Sequence, residues 1–181
     1  ESDLIELMTG RTVSDIYPSP RGEPGQVLMS LRGLSTADGA VIEASLDVRA
    51  GEILGVAGLV GCGKSELGQA CFGLSPIAAG HLMVDGQLAR FKHPADAIEA
   101  GVWYSPPDRK RDGLALMRPA RENMTLSSLA FGKARGVWLR AKAEGELLSH
   151  LSSQVDFPQP RLGESVANFS GGNQQKALLA K

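Results

Sequence analysis

Two periodicities divide the chain. From Val27 the apolar residues alternate, with Val27, Met29 and Leu31 opposite Leu28, Ser30 and Arg32, which predicts a strand. A second alternation over Val41–Val48, with Ile42, Ala44 and Leu46 on one face, predicts another strand. Ile53-Leu54-Gly55-Val56-Ala57 is unbroken and apolar, the pattern of a strand buried on both faces of a parallel sheet. A short strand is predicted over Gly80–Asp85 and another over Val102–Ser105, stopped by Pro106 and Pro107. Helical spacing covers Ser65–Phe72, Pro94–Ala100, Glu122–Phe131, Leu139–Val155 and Gln174 to the last residue. Residues 1 to about 25 read differently. Leu4, Ile5, Leu7 and Met8 suit a turn or two of helix ended by Gly10, and Tyr17–Gly25 carries three prolines and two glycines, the composition of a linker. Strand-loop-helix units first and helices later predict an α/β core carrying a helical subdomain.

Composition narrows the function. The 181 residues are 43% hydrophobic and 22% charged, an ordinary globular balance that excludes a disordered polyelectrolyte or a collagen. Nineteen basic against twenty acidic residues give a net charge of −1, without the basic excess of a nucleic-acid binder. Two cysteines, Cys62 and Cys71, are too few for a disulfide framework and fit a reducing compartment. The apolar stretch around Ile53–Val60 is far short of the ~20 residues that cross a bilayer, and Glu1, Asp3 and Glu6 stand where a signal peptide is basic. A cytoplasmic setting is expected. Glycine, with 22 residues, is the one excess.

Part of that excess lies in Gly58-Leu59-Val60-Gly61-Cys62-Gly63-Lys64-Ser65, which fits the phosphate-loop pattern of Gly, four residues, then Gly-Lys-Ser/Thr. Glycines let successive N–H groups curl round an anion, and a helix starting at the loop's end adds the positive end of its dipole. Lys64 can reach the β- and γ-phosphates, and the Ser65 hydroxyl can ligate Mg²⁺. Gly58, Gly61, Cys62, Gly63, Lys64, Ser65 and the following Glu66 are therefore the candidate nucleotide-binding residues, with Ser65 the candidate metal ligand. Cys62 reads either as a small side chain that fits the loop or as a thiol activated by Lys64 and the helix start. His81, His93 and His150 stand isolated and read as surface or structural residues. The charge cluster Asp108–Asp112 reads as a solvated loop.

A second candidate anion site is Asn168-Phe169-Ser170-Gly171-Gly172-Asn173-Gln174-Gln175-Lys176, a Ser-Gly-Gly placed just before a helix. Together the two motifs resemble the ATP-binding cassette (ABC) family, whose signature is Leu-Ser-Gly-Gly-Gln. The Ser-Gly-Gly-Asn-Gln-Gln-Lys form is similar to the ATP-binding subunits of bacterial importers for ribose, galactose, xylose and related small molecules. The segments Gly51–Gly61, Asp108–Leu114 and Arg121–Leu126 look like the second cassette of those tandem proteins, and Leu7–Arg11 like the end of the first.

The resemblance implies a P-loop NTPase core with an antiparallel β subdomain and a helical signature subdomain at about 108–172. Residues 1–25 would close a preceding cassette and link it to a partial cassette at 26–181. It further implies ATP and Mg²⁺ as cofactors, and Ser170, Gly171, Gly172, Asn173 and Gln174 capping the γ-phosphate of ATP held by a partner cassette. Transmembrane permease subunits and, indirectly, a solute-binding protein outside the cell would be partners, with the ATPase peripheral on the inner face of the membrane. No nucleic-acid partner is implied. The family's Asp-Glu strand end and later histidine are expected beyond Lys181, so no catalytic residue is assigned here and the 181 residues alone are expected to hydrolyse ATP poorly. Pro107 stands where the family usually has Glu or Gln, and no Phe, Tyr or Trp lies between Tyr17 and Phe72 to stack on adenine. A nucleotide-binding regulatory module without turnover, and a soluble ABC ATPase of DNA maintenance, are the competing readings.

Overall fold

The computed structural model describes residues 22–131 and 141–181, which fall into two compact units: residues up to Lys64 with Ile77–Arg90, and Ser65–Pro76 with Phe91–Lys181. The predicted apolar turn at Leu4–Met8 and the start of the linker at Tyr17 lie outside the described residues.

The first unit is a four-stranded antiparallel sheet. β1 (Val27–Thr36), β2 (Ala44–Arg49), β3 (Ile77–Val84) and β4 (Gln87–Ala89) pair in the order β2-β1-β3-β4. β1 is central, and its simple alternation fails at one point. The register against β2 shifts between Leu31 and Leu34, where Gly33 takes φ +56°. One extra residue in a strand carries the next side chain back to the same face. Leu31 and Leu34 are therefore both fully buried, together with Leu82 of β3. Gly80 of β3 faces this kink, and a Cβ there would overlap the Gly33 carbonyl, so glycine is required at position 80.

β2 begins later than its hydrophobic pattern predicts. Glu43 sits at φ +53°, which breaks the extended backbone ahead of Ala44. Val41 is turned inward at 7% exposure while Ile42, expected on the buried face, is 76% exposed.

The predicted parallel strands do not form. Ile53–Ala57 is irregular and exposed, with Ile53 at 99%, and Val102–Ser105 is also irregular. An apolar run becomes a strand only when a neighbour takes up its N–H and C=O groups, and no ladder among the described residues reaches either run.

The second unit is helical: α1 (Lys64–Cys71, whose first residue belongs to the sheet unit), α2 (Pro94–Glu99), a π-type turn at Arg109–Gly113, α3 (Ala120–Phe131), α4 (Ala141–Gln154) and α5 (Gly171–Ala180). Short 3₁₀ turns lie at Gln159–Arg161 and Val166–Asn168. Its core gathers Leu114, Met124, Leu148, Phe157, Val166, Phe169, Ala177 and Leu178. Met124 is fully buried in this core, while Leu126, on the same helix, stays 47% exposed.

The segment leading into α5 is laid against the one leading into α3. Ala120 N–H donates to Glu164 O, Val166 N–H to Arg118 O and Ala167 N–H to Leu116 O, at 2.8–3.1 Å. Asn123 fastens the same loop from inside. Its Oδ1 accepts from Ala115 N–H (2.8 Å), and its Nδ2 donates to the carbonyls of Ala115 and Pro119 (3.1 Å each). Phe157 and Phe169 pack with ring centroids 5.1 Å apart, and the Arg161 guanidinium lies 4.4 Å above Phe169. These contacts fix the position at which α5 begins.

Candidate functional site: a glycine loop and a capped helix start

The glycine loop runs from Gly58 to Lys64, at the end of the first unit. Gly61 and Gly63 adopt φ +83° and +88°, a conformation that side-chain-bearing residues rarely take. Gly63 is buried, and a Cβ there would collide with the Ala40 carbonyl. At Gly58 a Cβ would come 2.5 Å from Cys62 Sγ, so the thiol would have to turn away. Cys62 N–H donates to Leu59 O (3.3 Å), which closes the turn.

Lys64 bends back over the loop it terminates. Its Nζ donates to the carbonyls of Gly58 and Leu59, each at 2.7 Å, and lies 3.4 Å from Cys62 Sγ. Among the described residues no carboxylate pairs with this ammonium, and two of its three donors are taken up by backbone oxygens. Ser65 follows, exposed, and Glu66 is half-buried in the first turn of α1. Cys62 is exposed; burial pushes the thiol of Cys71 at the far end of α1 up to about 11.

The loop's residue types suit an anion of phosphate size: glycines in left-handed conformations, a lysine at the loop's end, and a helix that begins at that lysine. A single hydroxyl, that of Ser65, does not by itself make a metal site, and no group of three or more metal-ligating side chains occurs among the described residues. Mg²⁺ would take its remaining ligands from phosphate oxygens and water, as this hard cation commonly does.

The second motif stands at the start of α5. Ser170 is the N-cap, its Oγ accepting from Asn173 N–H at 3.5 Å, and Gln174 N–H opens the helical ladder on Ser170 O at 2.9 Å. Ser170, Gly171 and Gly172 are exposed, and Asn173 is half-buried. Gln174 is placed otherwise: it is 5% exposed, its Nε2 donates to Val166 O (3.2 Å), and its Oε1 accepts from Arg109 Nε (3.4 Å). Its side chain is committed inside its own unit, and the free part of the motif is Ser170–Asn173.

Arg109 was not singled out by the sequence beyond its membership of a charge cluster, and only the tertiary contact reveals it. The cluster is not a simple solvated loop. Asp108 caps the π-type turn by accepting from Lys110 and Arg111 N–H at 2.9 and 3.1 Å, bonds that hold its carboxyl below the usual carboxylate range. Pro107 is exposed beside it, and His81, His93 and His150 are all exposed. No helix among the described residues is long and apolar enough to cross a membrane.

A family model described as "ABC transporter" matches residues 41–181. The chain is 41% identical over its whole length to ribose import ATP-binding protein RbsA 3 of Rubrobacter xylanophilus, of which it covers 36%. It is 35% identical over 99% of its length to RbsA of Bacillus licheniformis, again covering 36%. The chain thus spans about a third of the length of the curated relatives it matches. Among solved structures, the ADP conformation of the cassette MJ1267 superposes with a TM-score of 0.70 at 13% identity, covering 86% of this chain and 63% of that one. The dimeric bacterial cassette MJ0796 gives 0.65 at 19%, covering 84% and 68%. At such identities these likenesses speak for the fold, that of ATP-binding cassettes.

Proposed function

Since the chain belongs to the ABC transporter family, we propose that it forms part of the ATPase of an importer for ribose or a related small solute. In this reading Gly58–Lys64 binds the phosphates of ATP, Ser65 holds Mg²⁺, and Ser170–Asn173 meets the γ-phosphate of ATP bound by a partner cassette. The observation that carries it is the pairing of two motifs in one chain: a loop whose lysine rests on its own carbonyls, and an exposed, Ser-capped glycine helix start. The curated relatives' names, ribose import ATP-binding proteins, supply the solute class.

The chemistry follows from the residues. ATP supplies the phosphoryl group whose transfer to water drives the cycle. Lys64 exchanges the neutral Gly58 and Leu59 carbonyls for anionic phosphate oxygens, so that its ammonium meets an opposite charge as well as hydrogen-bond acceptors, which gives the loop a reason to open. Gly61 and Gly63 keep the backbone close enough for its N–H groups to follow. Ser170 and the Gly171 and Gly172 amides present donors at the positive end of α5, suited to the charge that develops on the transferring group. Closing on ATP and reopening after hydrolysis would move permease subunits at the inner face of the membrane, by favouring one conformation over another. A solute-binding protein on the outer face would deliver the cargo.

The test is nucleotide binding and hydrolysis by the full-length polypeptide. Lys64→Ala is expected to weaken MgATP binding at least about tenfold, and Ser170→Ala to leave binding within about twofold while lowering hydrolysis about tenfold or more. Wild-type affinity in the first variant, or wild-type turnover in the second, would overturn the assignment of that motif.

A further inference from the structure

The π-type turn Arg109–Gly113 is fastened to α5 at two points. At its far end Gly113 lies under Leu178: a Cβ on Gly113 would come within 2.9 Å of Leu178 Cδ1, and Lys181 Nζ donates to Gly113 O at 2.9 Å. At its near end Arg109 reaches the first turn of α5. Nε donates to Gln174 Oε1 at 3.4 Å, and Nη2 sits 2.9 Å from where a Gly171 Cβ would be. Gly171 is therefore the residue that lets the guanidinium lie against the helix start.

Asp108, next in the chain, attracts Arg109, but attraction within the turn does not direct the guanidinium toward α5. Among the described residues Arg109 forms no ion pair, although Arg111 beside it pairs with Asp112 at 3.0 Å. A cation beside a helix N-terminus is opposed by the helix dipole, so Arg109 is held there by geometry. The geometry comes from both sides: Asp108 fixes the turn through Lys110 and Arg111 N–H, and Gln174 is itself fixed by its bond to Val166 O.

We propose that Arg109 is a positioning residue for the Ser170–Asn173 turn, acting through Gln174 and through contact with Gly171 to set where the exposed donors point. It deepens the reading of that turn as the contact to a partner cassette's γ-phosphate, and rests on it. Donors misplaced by a fraction of an ångström lose much of their effect on a transition state while ground-state nucleotide binding, made at the glycine loop, is little changed.

The experiment uses the full-length polypeptide with Arg109→Ala, Arg109→Lys and Ser170→Ala, reading kcat and KM for MgATP together with hydrogen exchange of a peptide spanning residues 168–176. Arg109→Ala is expected to lower kcat about tenfold with KM within about twofold, and to speed exchange at Gly172 and Asn173. Arg109→Lys is expected to restore neither, because one ammonium cannot both hold Gln174 Oε1 and lie flat against Gly171. An unchanged kcat, an unchanged exchange rate, or recovery by lysine would each overturn the proposal; should the alanine variant fail to fold, the exchange and kcat of the lysine variant decide. Ser170→Ala separates the two levels. If it turns over normally the reading of the turn itself fails, whereas an inactive Ser170→Ala beside a normal Arg109→Ala removes Arg109 alone.

Discussion

Lys64 and the two left-handed glycines show how narrowly the loop is specified. Gly63→Ala would combine a disfavoured φ of +88° with a collision against Ala40 O, so the loop would have to move. We expect it to lose about 1–3 kcal/mol of stability in urea unfolding and to abolish measurable nucleotide binding. The two thiols should also separate cleanly. Cys62 is exposed, whereas burial raises Cys71 to about 11. Since the thiolate is the reactive form, iodoacetamide near neutral pH should label Cys62 and leave Cys71 unmodified by mass spectrometry, with the order lost on urea unfolding. The loop was legible in the sequence because its spacing is itself the chemistry. The resting place of Lys64 on two carbonyls was not, because a flexible side chain chooses among partners only once the backbone around it is set.

Among the elements, the loop 114–119 and the start of α3 depend on one buried amide. Asn123 is 1% exposed and answers the N–H and C=O of Ala115 and the C=O of Pro119. Asn123→Ala would leave them unmet, and we expect a loss of about 2–4 kcal/mol by urea denaturation, whereas Asn173→Ala, half-buried at the start of α5, should cost about 1 or less. The Asp108 cap sets a pH window. Its carboxyl is held below the ordinary value by the amides of Lys110 and Arg111, so the ionised form is favoured in the folded state. That contribution is complete above about pH 5 and is lost as the pH falls below about 4, through the folded value. The Lys110 and Arg111 amide resonances should titrate there, with a midpoint below that of a free aspartate, and should lose the transition in Asp108→Asn. Helix positions followed closely from the 3.6-residue pattern. The strands did so less well, since Gly33 and Glu43 redirect faces that strict alternation assigns otherwise.

For the whole molecule, the exposed apolar run is the conspicuous feature. Ile53, Leu59 and Val60 are 99%, 84% and 103% exposed, with Val56 half exposed. Such a run invites association. We expect the 181-residue polypeptide to bind a hydrophobic dye and to scatter light on warming, and Ile53→Lys with Val56→Lys to slow that aggregation severalfold while Gly58–Ser65 is left intact. The amino-acid sequence by itself determined the glycine loop, the Ser-capped start of α5, the helix spans and the family, because these depend on residue type at short fixed spacings. Tertiary structure alone decided which apolar runs became strands, that Gln174 turns inward, and that Arg109 lies against Gly171. Strand pairing and a contact across 65 residues depend on which surfaces meet, and no local pattern of residues carries that information.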